Sequence, residues 1–192
     1  MKRGLEIGPG DSPLKSNGMI CWDTMASSTM SEVKSFKLTV DFHDVVWGCN
    51  SIPVAADYYD EIYASHVIEH VDWRLVGPAL REARRVLKRG GTIEIWTVDV
   101  RKLVDAYLRG ECGDDWRRGN PRSNPFVWFV GRLHAYGPPD GAPDNWHRGQ
   151  FDAPYLRRML HEWGFVDIEQ LVTRVRGTSH GPCEMGFRGA KP

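Results

Sequence analysis

A tight glycine turn lies near the start of the chain, in the stretch LEIGPG at residues 5–10. A strand-like run enters the turn, and Gly8 and Gly10 carry no side chain that would keep a ligand away from the backbone. Glu6, just before the turn, offers a carboxylate that can accept hydrogen bonds from an amino group. Ligands of open parallel sheets bind at the carboxyl ends of the strands, so this turn is well placed for binding. A simple chain reversal is the alternative.

The turn does not fit the two common nucleotide-binding patterns. The dinucleotide pattern G-x-G-x-x-G needs a third glycine where this chain has Pro13. The phosphate-loop pattern G-x-x-x-x-G-K-[ST] does not occur in the sequence. The sequence therefore argues against NAD, FAD and a phosphate-loop nucleotide as the ligand.

Histidines are the candidates for proton transfer, because an imidazole can take a proton from a hydroxyl group near neutral pH. His66 follows a strand-like run, and His147 lies in the segment NWHRGQ at the end of a proline-rich stretch. Each is a candidate catalytic base. A structural histidine that fixes the segment to the core is the alternative for His147, and His70 is expected to pack or hydrogen-bond within its turn.

A metal site is considered and set aside. HVIEH, residues 66–70, matches the H-x-x-E-H pattern of inverted zinc peptidases, but it follows directly on the strand-like run EIYAS. No downstream helix offers an obvious carboxylate as the third ligand. The four cysteines are widely spaced without a C-x-x-C pair, which argues against a structural zinc site and a disulfide framework. We predict no metal and free thiols.

The elements that must position these residues alternate between strand-like and helical runs, which is typical of a mostly parallel sheet covered on both faces. The predicted strands are residues 4–7, 19–22, 37–46, 61–65, 92–98, 168–175 and 183–188. Apolar periodicity predicts a helix within 73–88, ended by the glycine pair at 90–91. Two further helices are expected to begin after Asp99 and Asp152 as N-caps. The inward face of the first is predicted to carry Val100, Leu103, Val104 and Tyr107, and Phe165 is expected to fold back onto the last turn of the second.

Residues 110–150 differ from the rest, being rich in proline and aromatic residues. Asn124-Pro125 predicts the start of a short helix over 126–134. The segment is too short for a core of its own, so we predict one domain, 1–192, with a lid over the strand ends at about 110–150. Three tryptophans of the lid could stack on a sugar or an aromatic acceptor, or simply pack: Trp116, Trp128 and Trp146.

Five segments in this order resemble the class I S-adenosylmethionine-dependent methyltransferases, and among them the short type 11-like branch often described only as predicted methyltransferases. LEIGPG is similar to the first motif of that family, and DEIYASHVIEH to its fourth-strand motif. EARRVLKRGGTIEIWTVD resembles the following helix and fifth strand. NWHRGQFDAPYLRRMLHEWGFVDIE resembles the segment leading into the last helix, and FRGAKP a final strand. The resemblance covers nearly the whole chain.

The resemblance implies an α/β fold, a Rossmann-like three-layer sandwich with a seven-stranded, mostly parallel sheet and an antiparallel hairpin at one edge. It implies S-adenosylmethionine as cofactor. It also assigns the cofactor contacts by position: Glu6, Gly8, Pro9 and Gly10 at the methionine moiety, Asp23 at the ribose hydroxyls, Asp44 (or Asp41) near the adenine, and Ser65 and His66 at the sulfonium side. Two departures stand out, a short connection over residues 11–18 and a long stretch between Asp44 and Asp60.

These observations together predict an S-adenosylmethionine-dependent methyltransferase that acts on a small molecule or a glycan. Oxygen is the first choice for the acceptor atom because of the available histidines. The alternative is a methyltransferase-fold protein without catalysis, which holds the cofactor or nothing and serves as a partner subunit. The intact turn with Glu6 and Asp23 in place argues against that alternative, and the sequence leaves the oligomeric state open.

Nucleic acid and membrane are not expected as partners. Basic and acidic residues balance at 25 each, so there is no general attraction to nucleic acid. A nucleic-acid methyltransferase is expected to carry an N/D-P-P-Y/F-type tetrapeptide after the fourth strand, and SHVI at residues 65–68 is not one. No apolar run approaches the ~18 residues of a membrane span, and the N-terminus lacks a signal-peptide core. We therefore predict a cytoplasmic protein.

Overall fold

The computed structural model describes residues 1–8, 14–15, 17–25, 52, 54–111, 124–134, 146–174, 176 and 181–192, with the backbone alone for 21–25. The strands are β1 (Lys2–Ile7), β2 (Ile20–Met25), β3 (Tyr59–Ser65), β4 (Leu87–Val98), β5 (Val166–Leu171) and β6 (Glu184–Ala190). The helices are α1 (Val76–Val86), α2 (Val100–Leu108), α3 (Pro125–His134) and α4 (Ala153–Glu162), with a short 3-10 helix at Ile68–His70. None of these described helices has the length and apolarity to cross a bilayer.

The strands form one mixed sheet in the order β2-β1-β3-β4-β6-β5. β1 to β4 run parallel, so their carboxyl ends meet at one edge, which we call the carboxyl edge. β6 lies antiparallel between β4 and β5, which gives the predicted antiparallel hairpin at one side of the sheet. The architecture is α/β and Rossmann-like, with six strands within the described residues. The predicted strand at 37–46 lies outside them.

One face of the sheet carries the hydrophobic core. Strand side chains alternate between faces, and the apolar set points to the side on which α1 and α4 lie. Its buried strand members are Leu5, Ile7, Ile62, Ala64, Ile93, Ile95, Met185 and Phe187, which pack with Ala79, Leu80 and Ala83 of α1 and with Leu156 and Leu160 of α4. This layer fixes the register of the strands, because a slip by one residue would turn every apolar side chain away from the helices.

The opposite face is polar, and we call it the ion-pair face. Its strand side chains are Glu6 of β1, Glu61, Tyr63 and Ser65 of β3, Glu94 and Trp96 of β4, and Glu184 and Arg188 of β6. Arg174 lies on it, with Cζ 4.4 Å from the ring centroid of Trp96. Gly186 pairs with Trp96, and a Cβ there would lie 2.6 Å from the indole. Position 186 must therefore stay glycine.

The junction of α1 and β4 differs from the sequence-based expectation. The helix ends at Val86, and Leu87 already belongs to β4, so the glycine pair at 90–91 lies inside the strand. Gly90 N donates to the carbonyl of Lys191 (2.8 Å), and Lys191 N donates to the carbonyl of Gly91 (2.9 Å). The pair is therefore held by main-chain bonds to the residue that follows β6, and it does not act as a helix stop.

The predicted caps of α2 and α4 are confirmed. Asp99 accepts a hydrogen bond from Arg101 N (3.0 Å), and Asp152 accepts one from Tyr155 N (2.8 Å). Phe165, just after α4, is fully buried, as its sequence position predicts. The expected inward position of Val104 in α2 is wrong, because that side chain is 37% exposed.

The buried side chains of α2 are Leu103, as predicted, and Ala106, and both belong to a cluster with Trp128 of α3. The predicted short helix at 126–134 is thus present as α3, one residue longer. It packs on the helix that begins immediately after β4, so this part of the predicted lid lies beside an element that starts at the carboxyl edge.

Candidate active site at the carboxyl edge

The ends of two adjacent strands, β1 and β3, both turn through a left-handed residue. Gly8 follows β1 with φ +62°, and His66 follows β3 with φ +54°. A Cβ at Gly8 would overlap Cγ2 of Val67, the neighbour of His66. The opening turn therefore has two physical reasons to be glycine, its backbone conformation and its contact with the turn after β3. Sequence analysis had expected the space to serve a ligand; the Cβ direction is filled by Val67.

Glu6 is a buried carboxyl group on the ion-pair face, in register with Tyr63. Its Oε2 accepts a hydrogen bond from Leu14 N at 2.7 Å. Burial raises the pKa of Glu6 to about 7, against the Leu14 bond and the charge of Arg176, which act in the opposite direction. A cationic group placed beside Glu6 would therefore meet a buried carboxyl whose described hydrogen-bond donor is Leu14 N and on which Arg176 acts through its charge.

His66 is held between two carboxylates. Its Nδ1 lies 2.9 Å from Oε1 of Glu69, and its Nε2 lies 3.4 Å from Oε2 of Glu184. Burial favours the neutral imidazole, but the charge of Glu69 and the hydrogen bonds to both carboxylates raise the pKa of His66 above its usual value. The ring is thus fixed by a close contact on one nitrogen and a longer contact on the other.

Glu69 connects three parts of the edge. Beyond its bond to His66, its Oε2 accepts from Thr97 Oγ1 of β4 at 2.8 Å. Its main-chain carbonyl accepts from Arg148 N (2.7 Å) and Gly149 N (2.9 Å). Burial works against ionisation, but the charge and hydrogen bond of His66, followed by the other nearby histidines, lower the pKa of Glu69 to about 2. Glu69 is therefore a buried anion.

His147 is placed by the same neighbourhood but makes different contacts. Its Nδ1 lies 3.1 Å from the carbonyl oxygen of Arg132 in α3. Its ring meets that of His70 edge to face, with centroids 4.9 Å apart. Burial lowers the pKa of His147, against the nearby charge of Glu69. These contacts join the segment 146–150 to α3 and to the turn after β3.

Ser65 points to the ion-pair face, where a single arginine holds it. Nη1 of Arg174 donates to Ser65 Oγ (2.6 Å) and to the Tyr63 hydroxyl (2.8 Å). Nη2 of the same guanidinium donates to Glu184 Oε2 at 2.7 Å. Because Glu184 also contacts His66, Arg174 orients Ser65 directly and His66 through Glu184. The sequence analysis missed Arg174 and Glu184, because each lies more than 100 residues from its partners in and after β3 and belongs to no local motif. Glu69 was part of the quoted HVIEH stretch, but no role was assigned to it.

The remaining predicted cofactor contacts are only partly described. β2 continues to Met25, so Asp23 lies within the strand in register with Leu5, and not at the strand end as expected. Its side chain is not described. Pro9, Gly10, Asp41, Asp44 and Trp116 lie outside the described residues.

Known proteins resemble this chain in sequence over its first half and in fold over its whole length. Residues 8–95 match a family model described as "Methyltransferase domain". No curated protein sequence matches the chain. Among solved structures, a methyltransferase from Thermotoga maritima, described as S-adenosylmethionine-dependent and a possible histamine N-methyltransferase, aligns with 19% identity and a TM-score of 0.57. The alignment covers 100% of this chain and 83% of that one.

Two archaeal structures give similar alignments. A S-adenosylmethionine-dependent methyltransferase from Archaeoglobus fulgidus shares 13% identity over 99% of this chain and 86% of its own, with a TM-score of 0.54. A chain from the complex between the Haloferax volcanii Trm112 methyltransferase activator and its methyltransferase shares 13% identity over 100% of this chain and 83% of its own, with a TM-score of 0.53. At this identity the alignments show the fold.

Proposed function

We propose that this protein, a class I S-adenosylmethionine-dependent methyltransferase by its family match and its fold, methylates an oxygen atom of a small molecule or a glycan. The predicted class and the predicted cofactor, S-adenosylmethionine, are confirmed by those comparisons. The acceptor, its oxygen atom and the residues that serve it are the proposal.

The cofactor supplies a methyl group on a cationic sulfur, which an acceptor removes by in-line displacement without a covalent intermediate. Glu6 fits a cationic partner, because it is a buried carboxyl at the opening turn and the charge of Arg176 does not offset the effect of its burial. We assign the other cofactor contacts by position: Gly8, Pro9 and Gly10 with Glu6 at the amino-acid end, Asp23 at the ribose, Asp44 at the adenine, and Ser65 with His66 at the sulfonium side.

The observation that carries oxygen as acceptor is the His66–Glu69 pair. A bond from Nδ1–H to Oε1 of Glu69 fixes the tautomer and directs Nε2 away from that carboxylate. Nε2 has a long contact to Glu184 (3.4 Å), which a substrate hydroxyl can replace. We propose that Nε2 takes the hydroxyl proton as the oxygen attacks the methyl group. His147 is the second candidate for this base.

The lid is part of the proposal. Residues 110–150 would close over the acceptor, and their described helix α3 supports this placement by packing on α2, which begins directly after β4. His147 reaches the same edge through its contacts to Arg132 and His70. An acceptor held between this segment and His66 would be shielded from water during transfer.

Cofactor binding is tested first, by isothermal titration with S-adenosylmethionine and S-adenosylhomocysteine. Gly8→Arg is expected to abolish binding, because the side chain would enter the turn between β1 and β3. Gly90→Arg is the matched control, since Gly90 also has a positive φ (+73°) but open space where its Cβ would be. If the wild type binds neither compound, the proposal of a methyltransferase activity is refuted, and the alternative of a non-catalytic partner subunit replaces it.

The acceptor is tested with methyl-labelled cofactor and a panel of sugars, phenols and amines, with products identified by mass spectrometry. His66→Gln should lower kcat by about 10²–10⁴-fold, a larger effect than any change in cofactor affinity. The wild-type rate should rise with pH through the raised pKa of His66, since the base must be neutral. His161→Gln, an exposed site on α4, should change neither. Methyl transfer to nitrogen, or full activity in His66→Gln, would contradict the proposal.

A further inference from the structure

We propose that Glu69, His70 and His147 form a binding site for a divalent transition-metal ion of the zinc type. One potential ligand atom from each residue lies within 4.8 Å of the other two. The three residues come from the turn after β3 and from the segment 146–150, so the fold, and not a local motif, brings them together. Glu69 also contacts His66, the proposed general base, so the site adjoins the proposed function, but its test does not depend on methyl transfer.

Both histidines present one ring nitrogen while the other is engaged. Within the described residues, the buried Nδ1 of His70 has no hydrogen-bond partner. Its ring also hydrogen-bonds the Trp146 backbone, a bond that falls to Nε2. In His147, Nδ1 lies 3.1 Å from the carbonyl oxygen of Arg132 and can donate a hydrogen bond to it. Nε2 is then the ring nitrogen that can bind an ion. Metal-binding histidines typically use one nitrogen for the ion and give the other to a backbone carbonyl or carboxylate.

Glu69 is equipped as the third ligand. Each carboxylate oxygen holds one hydrogen bond, from His66 to Oε1 and from Thr97 to Oε2, and each has a further lone pair. Those two bonds fix the orientation of the carboxylate, as outer partners of metal ligands do.

The donor set favours zinc or a similar ion over magnesium or calcium. Two imidazoles and one carboxylate are the ligands of many catalytic zinc sites, which leave a fourth position open for water or a substrate oxygen. Zn–N bonds of roughly 2.0–2.1 Å place tetrahedral ligands about 3.3 Å apart, so closure of the cluster requires side-chain shifts of about 1 Å. Small χ rotations of the three side chains are enough for this.

The site changes how HVIEH is understood. Sequence analysis paired His66 with His70 and found no carboxylate ligand downstream, which led to the prediction of no metal. In the structure the carboxylate comes from Glu69 within the same stretch, the second histidine is His147, and His66 is left to orient Glu69. An ion here would tie the segment 146–150 to the turn after β3. It would also remove His147 from consideration as the base.

The test is metal binding by the whole protein after treatment with a chelator. Titration with Zn²⁺ by calorimetry and with Co²⁺ by visible absorption should give one equivalent bound. His70→Ala and His147→Ala should each weaken affinity at least tenfold, while the matched control His161→Ala, whose exposed histidine lies on α4, should not change it. Absence of binding in the wild type, or an equal loss in His161→Ala, overturns the proposal.

A second measurement needs no variant. Ring resonances of histidines in NMR spectra report metal ligation for buried and exposed side chains alike, and one equivalent of Zn²⁺ should shift those of His70 and His147 but not those of His161. Unchanged resonances of His70 and His147 overturn the site even if the alanine variants fail to fold. Cofactor titration on the same samples separates the two proposals, because a protein that binds Zn²⁺ but not S-adenosylmethionine keeps this site and loses the proposed function.

Discussion

The ends of β1 and β3 each place a buried glutamate beside a left-handed residue, but they surround that glutamate with different partners. Both parallel strands leave the sheet through a left-handed residue, Gly8 in one and His66 in the other, and each end has a buried glutamate nearby. At the β1 end, the carboxyl of Glu6 meets one backbone N–H. At the β3 end, Glu69 is bonded to His66 and Thr97.

The comparison shows that, when two acids are buried to the same extent, their neighbours decide whether burial prevails and which charge state results. Glu6 and Glu69 are 3% and 2% exposed, yet the pKa of the first is raised to about 7 and that of the second is lowered to about 2. The β3 end is thus a self-sufficient charged cluster, while at the β1 end the charge of Arg176 does not offset the burial of Glu6. This is the pattern expected if a cationic ligand completes the β1 end.

The largest effect should come from removing the charge at the β3 end. Glu69→Gln should lower the free energy of unfolding by about 3–5 kcal/mol, because it removes the closer of the two carboxylates that hold His66. Since the folded pKa lies below the usual value of 4.5, the wild type should lose this stability as pH falls from about 4.5 towards 2, whereas the variant should not. Urea unfolding across pH measures both; a variant that follows the wild-type acid profile would refute the assignment. Glu162→Gln, exposed on α4, should change stability by less than about 0.5 kcal/mol.

A side chain at the turn that joins the two ends should have the next largest effect. Gly8→Ala should destabilise by about 2–5 kcal/mol, from the left-handed backbone and from overlap with Val67. Gly90→Ala has the same backbone penalty in open space, so it should cost only about 1–2 kcal/mol. Adding Val67→Ala should make the Gly8→Ala substitution less costly in a double-mutant cycle. Additive losses would show that the two turns are not in contact.

Neutralising the β1 end should stabilise the protein. Glu6→Gln keeps an acceptor for Leu14 N and removes the need to ionise a buried carboxyl. Because the folded pKa (about 7) exceeds the unfolded value (4.5), wild-type stability should fall as pH rises between them, and the variant should be more stable by up to about 3 kcal/mol at pH 8. At pH 4 the two should be equal in thermal unfolding, and a gain of the same size there would count against the raised pKa. The variant should also bind the cofactor more weakly.

Local rules allowed much of this to be predicted from the sequence. The caps Asp99 and Asp152 act on backbone groups two or three residues away, and Phe165 packs beside its own helix, so their roles depend on nearby sequence alone. The glycine turn after β1 was found for the same reason. The elements of the core follow because apolar spacing reports which side of a helix or strand is buried.

Residues whose role depends on distant partners were not foreseen. Arg174 acts on Tyr63 and Ser65, and Glu184 acts on His66, across more than 100 positions of chain. No spacing rule connects such residues, because their meeting depends on the sheet order. The prediction that the glycine pair at 90–91 ends a helix was wrong for a similar reason, because the partner of the pair, Lys191, is brought to it by β6.

The position of β6 has a consequence for synthesis on the ribosome. β6 comes after β5 in the chain but lies between β5 and β4 in the sheet. A nascent chain that has released β5 has nothing to pair it with, and Glu184, which contacts His66, has not yet emerged. The sheet and the candidate active site are therefore completed together, only after translation has passed residue 190.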